Sequence, residues 1–449
     1  MRTSSRSDLP ERHGRTALLW DESFLWGVMA RKALHARGLA FEMIRAKDVR
    51  DGRLHDYSLL FVPGGWASNK IKALGNDGIE EIKRFVREGG SYLGFCGGAG
   101  LATMDGIGLV GVRRRPTRER VPSFSGRIGL NITGHPLWEG LRNSELQTEP
   151  APERINGGNS LLVFQAWWPS QLVVEDGIAT VLASYGEAMP DSFSSDVNVG
   201  DAEALKKWPD LERIYQINLD PKRLRGEPAV IEGSFGKGRV VLSLVHFDTP
   251  GDANGQAVLE NIWKYLGGKI AVKDAGYTIC DEEKLELRAL HRNASRPESI
   301  VSEMECMVKA IVELGCRNFL WFWRNSMLLQ WRRGVRGLEY CTLFIMMKEL
   351  AEALRAGAAS CTLSDLERIR GLLLPFADKA KRLLLMERYA MQNGHITYEK
   401  CDDPGIQLIR EELFSRSKSY GGLFKRLLDE IDGSLFRVLT ETRTRKGVS

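Results

Sequence analysis

Between residues 15 and 100, short apolar runs alternate with segments whose apolar positions recur every three or four residues. Thr16-Ala-Leu-Leu-Trp20, Ala40-Phe-Glu-Met-Ile44, Tyr57-Ser-Leu-Leu-Phe-Val62 and Tyr92 to Phe95 read as strands. Phe24 to Arg37, with Leu25, Val28, Met29 and Leu34 on one face, reads as a helix, as does Ile79 to Glu88, closed by Gly89-Gly90. Strands that are apolar throughout and separated by helices predict a parallel sheet covered on both faces. In such sheets ligands bind beyond the carboxyl ends of the strands. Two loops lie there: Pro63-Gly-Gly-Trp-Ala-Ser-Asn69 after the third strand and Cys96-Gly-Gly98 after the fourth.

From Gly126 the pattern turns to β. Arg127 to Ile132, Ser160 to Phe164, Gln171 to Val174 and Thr180 to Ala183 read as strands joined by Gly, Pro and Asn turns, and the polar stretch Pro190 to Pro209 as a loop or insertion. Ala229 to His246 reads as a hairpin turning at Gly236-Lys-Gly238, its apolar second arm ending at His246, and Ala257 to Leu266 as a closing helix. Beyond about residue 273 the pattern is helical almost without interruption. One stripe is Met304, Val308, Ile311 and Val312; another runs from Leu363 to Leu373, with Pro375 marking a kink or break. Ser295-Arg-Pro-Glu298 and Ser364-Asp-Leu-Glu367 have the form of capping boxes. The expected division is a disordered tail over 1–14, an α/β domain over 15–272 and an α-helical domain of unassigned role over 273–449.

Composition narrows the function classes. A charge of only +5 over 449 residues gives no nucleic-acid footprint. Arg113-Arg-Arg115, with Arg118 and Arg120, is the densest basic stretch and reads as a solvated loop, an anion-binding loop being the alternative. The N-terminus has no apolar signal region, and the aromatic run Asn318 to Trp323 is cut by Arg324, so neither secretion nor a membrane span is expected. Seven scattered cysteines, Cys280, Cys306, Cys316, Cys341, Cys361 and Cys401 besides Cys96, form neither a disulfide framework nor a metal-ligand pattern. A cytoplasmic chain without metal or cofactor follows as the default.

The candidate chemistry gathers at the strand ends. Ser91-Tyr-Leu-Gly-Phe-Cys-Gly-Gly-Ala-Gly100 is a strand cut off by glycines, the form of a nucleophile elbow. Gly94, Gly97 and Gly98 suit a turn too tight for side chains beside a strained nucleophile. A small buried cysteine at a strand end is the competing reading for Cys96. His246-Phe-Asp248 ends an apolar strand, which would leave the histidine exposed at the ligand edge with an acid two residues on to orient it. A Cys–His–acid set would draw the thiol toward thiolate and fix the imidazole tautomer. Backbone N–H groups at Gly64-Gly65 and Gly97 could point at a developing oxyanion. Asp21 and Glu22 could touch a ligand or cap the next helix, and His135 reads as a loop histidine.

Four stretches carry a family resemblance: Phe61-Val-Pro-Gly-Gly65, Phe85 to Gly98, Ile155-Asn-Gly-Gly158 and Gly236 to His246. Residues 15–268 resemble the class I glutamine amidotransferase-like superfold, and within it the N-terminal domain of biotin–protein ligases and its stand-alone bacterial relatives. The resemblance implies a flavodoxin-like parallel sheet, Cys96 as nucleophile, His246 as base and Asp248 as orienting acid. It also implies Gly65 and Gly97 as oxyanion donors and raises Asn156, otherwise a turn residue, to a pocket candidate. Gly64 and Trp66 are pocket candidates from their place on the neighbouring loop, where Trp66 could line the pocket or merely cover it. Two positions depart from the superfamily: Asp248 stands where Glu is usual, and Gly100 stands where glutaminases carry a Gln that holds substrate glutamine. No biotin-ligase catalytic domain is recognisable in the helical part.

Two functions are carried forward. One is a cysteine-dependent amidase or hydrolase acting on a small-molecule substrate through a thioester. The other is a non-catalytic ligand-binding or regulatory module whose helical domain engages a protein partner or a second copy of the chain.

Overall fold

Short, wholly apolar segments leave no solvent-facing side, so they pair where both faces are covered. In the computed structural model, which describes residues 14–141, 162–269, 296–394, 396–397, 401–416 and 419–444, these segments form the centre of one mixed sheet. The chain divides into two units, 1–272 and 273–449. The first opens with β1 (Thr16–Leu19), α1 (Leu25–Ala36), β2 (Glu42–Ile44), α2 (Ala46–Arg50), β3 (Leu59–Val62), α3 (Ala67–Arg87), β4 (Ser91–Phe95) and α4 (Gly97–Ala102). It continues through β5 (Arg113–Arg114), β6 (Phe124–Ile132), β7 (Leu162–Trp167), β8 (Leu172–Val173), β9 (Thr180–Ala188), β10 (Phe193–Ser194) and β11 (Val197–Asn198). It ends with α5 (Val199–Ala204), α6 (Trp208–Tyr215), β12 (Pro228–Phe235), β13 (Gly238–Ser243) and α7 (Ala253–Tyr265).

The parallel half runs β2-β1-β3-β4-β13, the flavodoxin-like order. The connection through α1 steps to one side of β1 and that through α3 to the other. Right-handed crossovers therefore set helices on opposite faces. All four residues of β3 have no exposed surface, and each such apolar side chain contributes about 1.5–3 kcal/mol. Beyond β13 the sheet turns antiparallel through β12, β9, β6 and β10, with β7 pairing β6. This is the β-rich insertion.

Several local expectations are revised. The second arm of the hairpin stops at Ser243, not His246, because its last parallel partner is Phe95. The α3 helix starts already at Ala67, straight after the Pro63–Trp66 turn, and Gly75, at φ 62°, breaks it four residues before the expected start at Ile79. Pro190–Pro209 holds a short β10–β11 ladder and the helix α5, which Asn198 caps by accepting from the Asp201 N–H at 2.9 Å.

The second unit contains helices Arg296–Arg317, Gly337–Arg355, Leu363–Asn393, Pro404–Phe414 and Gly422–Thr444. An antiparallel ladder of Trp321–Trp323 with Leu329–Trp331 interrupts the helical pattern, Trp321 lying against the bare face of Gly315 and donating to the Val312 carbonyl at 2.9 Å. Pro375 sits inside the Leu363–Asn393 helix without ending it, because buried Ile369 and Leu373 before it and Ala380 and Leu384 after it share one core. The capping box there is Thr362 with Asp365, two residues earlier than the Ser364 reading. Ser295, Cys280 and residues 1–13 of the expected tail lie outside the described residues. Among the described residues no helix is long and apolar enough to cross a membrane, and no cluster of metal-ligating side chains forms.

Candidate active site

The site is built where β4 and β13 end side by side. Ser243 pairs with Phe95, and the Cys96 N–H donates to the Ser243 carbonyl at 2.8 Å, so the elbow and the segment after β13 leave the sheet together. Cys96 has φ 47° and ψ −102°, a sparsely populated conformation that costs on the order of 1–3 kcal/mol and needs its surroundings to hold it. The glycines supply those surroundings. A Cβ on Gly94 would fall 2.7 Å from Gly98 backbone, one on Gly97 1.8 Å from the Gly65 carbonyl oxygen, and one on Gly98 2.0 Å from that of Val62. The β3–α3 turn therefore rests directly on the elbow, which only glycine permits.

That contact brings two amides together. The Gly65 nitrogen would stand 3.0 Å from a Gly97 Cβ, and Gly65 has φ 113°. Gly97 is the first residue of α4, where an N–H has no intrahelical acceptor. Among the described residues the Gly65 N–H donates to no backbone carbonyl.

Past Ser243 the chain stays extended. The His246 N–H donates to the Gln165 carbonyl at 2.9 Å; the Thr249 hydroxyl donates to the His246 carbonyl at 2.9 Å and accepts from the Trp167 indole at 3.0 Å. This anchoring sets His246 Nδ1 2.9 Å from Asp248 Oδ1. The histidine is not exposed, as its place at a strand end suggested, but wholly buried along with Asp248. Trp26 of α1 is the reason: its ring stacks on the imidazole at 4.6 Å between centroids and 28° between planes. Burial opposes the imidazolium, yet the Asp248 carboxylate and the nearby Cys96 outweigh it and push the His246 pKa up to about 10. His246 Nε2 is buried, makes no geometrically sound hydrogen bond among the described residues, and faces Cys96, which favours its protonated form.

The structure thus brings Cys96, His246, Asp248, Gly64, Gly65 and Gly97 to one sheet edge; Gly64 has room for no side chain because Trp26 stands 2.9 Å from its Cβ position. Trp66 opens α3 and is 37% exposed. Asn156 and its Ile155–Gly158 stretch lie outside the described residues. Asp21 does not cap α1: it accepts from Arg45 at 2.7 Å and from the Ala46 N–H, tying β1 to α2. His135 accepts from the Leu137 N–H at 3.3 Å.

Sequence reasoning passed over Trp26 and Lys70, and read the stretch holding Arg114 and Arg120 as a solvated loop before an anion-binding one. Fully buried Lys70 donates to the Ser23 hydroxyl at 2.5 Å and the Asp21 carbonyl at 3.2 Å, bracing the turn after β1. Arg114 reaches over the elbow: its Nη1 lies 3.4 Å from where a Gly100 Cβ would be. Arg120, its pKa lowered by burial and by Arg114 and raised by Cys96, completes the basic side of the site. The Arg113–Arg120 run was the visible signal for these two; nothing in the sequence marked Trp26.

No curated protein matches the chain. Among solved structures it is similar to PurLQS from Thermotoga maritima, at 16% identity over 57% of this chain and 99% of that one, with a TM-score of 0.35. A candidate GMP synthase subunit from Thermoplasma acidophilum is similar at 12% identity over 57% and 94%, TM-score 0.35. So is a beta-galactosidase from Bacillus circulans sp. alkalophilus, at 15% over 58% of this chain but only 32% of that one, TM-score 0.34. The segment that carries the end of α2, β3, α3, β4 and the elbow, residues 49–105, matches the family described as "Biotin-protein ligase, N terminal", the same resemblance its motifs carry.

Proposed function

We propose that residues 15–272 form a cysteine-dependent amidase or hydrolase in which Cys96 is the nucleophile. The observation that carries this reading is a strained cysteine on a glycine-packed elbow, beside a buried histidine held by Asp248 at 2.9 Å. With His246 held as the imidazolium at neutral pH, the proton of Cys96 already rests on Nε2, and the sulfur attacks the substrate carbonyl carbon as the thiolate of that pair. The oxyanion that forms accepts from the Gly65 and Gly97 amides. On collapse the C–N bond breaks, Nε2 returns the proton to the leaving amine, and a thioester remains on Cys96. Water, giving its proton to Nε2, then releases the acid and restores the thiolate–imidazolium pair. Asp248 keeps Nδ1 protonated and opposes the burial cost of the imidazolium.

Alkylation of the full chain by iodoacetamide at neutral pH, with the modified site mapped by mass spectrometry, tests this reading. Cys96 should react at least tenfold faster than a free thiol, and His246→Ala should remove the advantage. A Cys96 that reacts no faster than a free thiol overturns it and leaves the ligand-binding module as the better account.

A further inference from the structure

We infer that the substrate carries an anionic group, a carboxylate or a phosphate, that Arg114 and Arg120 hold beside the elbow. This rests on Cys96 being the reacting residue and adds what the site selects. Five arginines fall between 113 and 120. Arg115 is paired in charge with both oxygens of Glu227 at 3.1 and 3.0 Å through Nη2, its Nε being buried without a partner; Arg113 lies 3.9 Å from Asp105 and Arg118 3.6 Å from Glu119. Arg114 and Arg120 have no carboxylate partner among the described residues, and the charge of Arg114 bears on Arg120. Two like charges held near each other with no carboxylate partner favour an anion between them.

The pair is also built rather than loose. The Arg114 N–H donates to Asp105 Oδ2 at 2.7 Å, and pairing of Arg114 with Leu172 fixes the strand that carries it. Arg120 donates through Nη1 to Ser170 at 2.9 Å and through Nη2 to Thr117 at 2.8 Å, which fixes the guanidinium plane and leaves its buried Nε without a partner. A planar fork with an unused N–H suits an oxyanion. The position matters as much as the charge. Gly100, whose N–H donates to the Cys96 carbonyl at 2.9 Å, has no side chain, and Arg114 takes the space a side chain would enter. The residue that departs from the glutaminase pattern is therefore the one that lets a cation approach the nucleophile.

Competing alkylation reads this directly. The ratio of Cys96 labelling by anionic iodoacetate to that by neutral iodoacetamide should exceed the ratio for free cysteine at least tenfold. It should fall at least threefold in Arg114→Gln and again in Arg120→Gln, and should fall with added salt. A ratio equal to that of free cysteine, or unmoved by both substitutions, overturns the inference even where iodoacetamide alone reacts fast. Slow iodoacetamide labelling instead counts against the nucleophile. Thermal stabilisation of the full chain by succinate or inorganic phosphate, at matched ionic strength, gives a second measure independent of thiol reactivity. A shift with one anion names the source, and loss of the shift in exposed Arg114→Gln supports the site. No shift with either anion, or equal shifts in wild type and variant, overturns it.

Discussion

Replacing Asp248 with Asn keeps the shape of the side chain and removes its charge, so it isolates what the carboxylate does for His246. In the native protein the histidine pKa stands at about 10 against a reference of 6.5, although burial alone would lower it. A rise of that size corresponds to on the order of 5 kcal/mol of preference for the imidazolium in the folded state. Because the folded value is raised, this stabilisation is fully present below pH 6.5. It is lost at about 1.4 kcal/mol per pH unit as pH rises toward 10. Breaking a buried pair from one side costs about 3–5 kcal/mol. Asp248→Asn should therefore destabilise the full chain by about that much at pH 6, and the gap should narrow by about 3 kcal/mol by pH 9. With the carboxylate gone, only Cys96 still opposes burial, and the imidazole should titrate well below 10. Ring-labelled histidine NMR, with the resonance assigned by a His246→Asn variant, follows the titration, and urea denaturation across pH follows the stability. A wild-type His246 that titrates near 6.5, or a destabilisation equal at pH 6 and 9, refutes the ionic pairing.

Gly97→Ala would set a methyl group 1.8 Å from the Gly65 carbonyl oxygen, so the β3–α3 turn must move; a stability loss of about 3 kcal/mol, read by thermal melting, should accompany slowed Cys96 alkylation. Normal alkylation in a folded Gly97→Ala protein would show that the two loops need not touch. In the helical unit, Arg410 is buried against Glu387 at 2.8 Å and also donates to the Thr397 and Gly334 carbonyls. Burial raises the Glu387 pKa to about 7 despite that arginine. Arg410→Met should cost about 3–5 kcal/mol at pH 8, where the buried carboxylate loses its paired cation and must either stay charged or take up a proton, and less at pH 5, where it is protonated in both proteins. Equal losses at the two pH values would contradict this. Cys96→Ser should leave the melting temperature within a few degrees of wild type while abolishing covalent labelling at that position; a large stability loss would favour the packing role for the cysteine.

The parallel core was legible because its strands bury both faces and so are apolar at every position, a signal that survives without knowledge of neighbours. The elbow was legible for a related reason: Gly94, Gly97 and Gly98 are required by backbone contacts, and backbone geometry restricts residue type tightly. His246 and Asp248 were visible as a dipeptide-spaced pair at the end of an apolar run. Their burial was not, because the group that covers them, Trp26, comes from a helix more than two hundred residues away in sequence. The Trp321–Leu329 ladder and the α5 cap were missed because short elements depend on tertiary partners rather than on periodicity.

By itself the sequence determined the α/β core, the glycine-framed turn and the types of residue able to carry cysteine chemistry, since these follow from local backbone limits and from period. Only the tertiary structure decided which of them meet. Parallel pairing of β4 with β13 brings Cys96 and His246 to one edge. Contact of the Gly65 turn with Gly97 gathers the amides, and folding of the β5 segment across α4 sets Arg114 over Gly100. Each of these depends on distances between segments far apart in the chain, and no local pattern encodes such a distance.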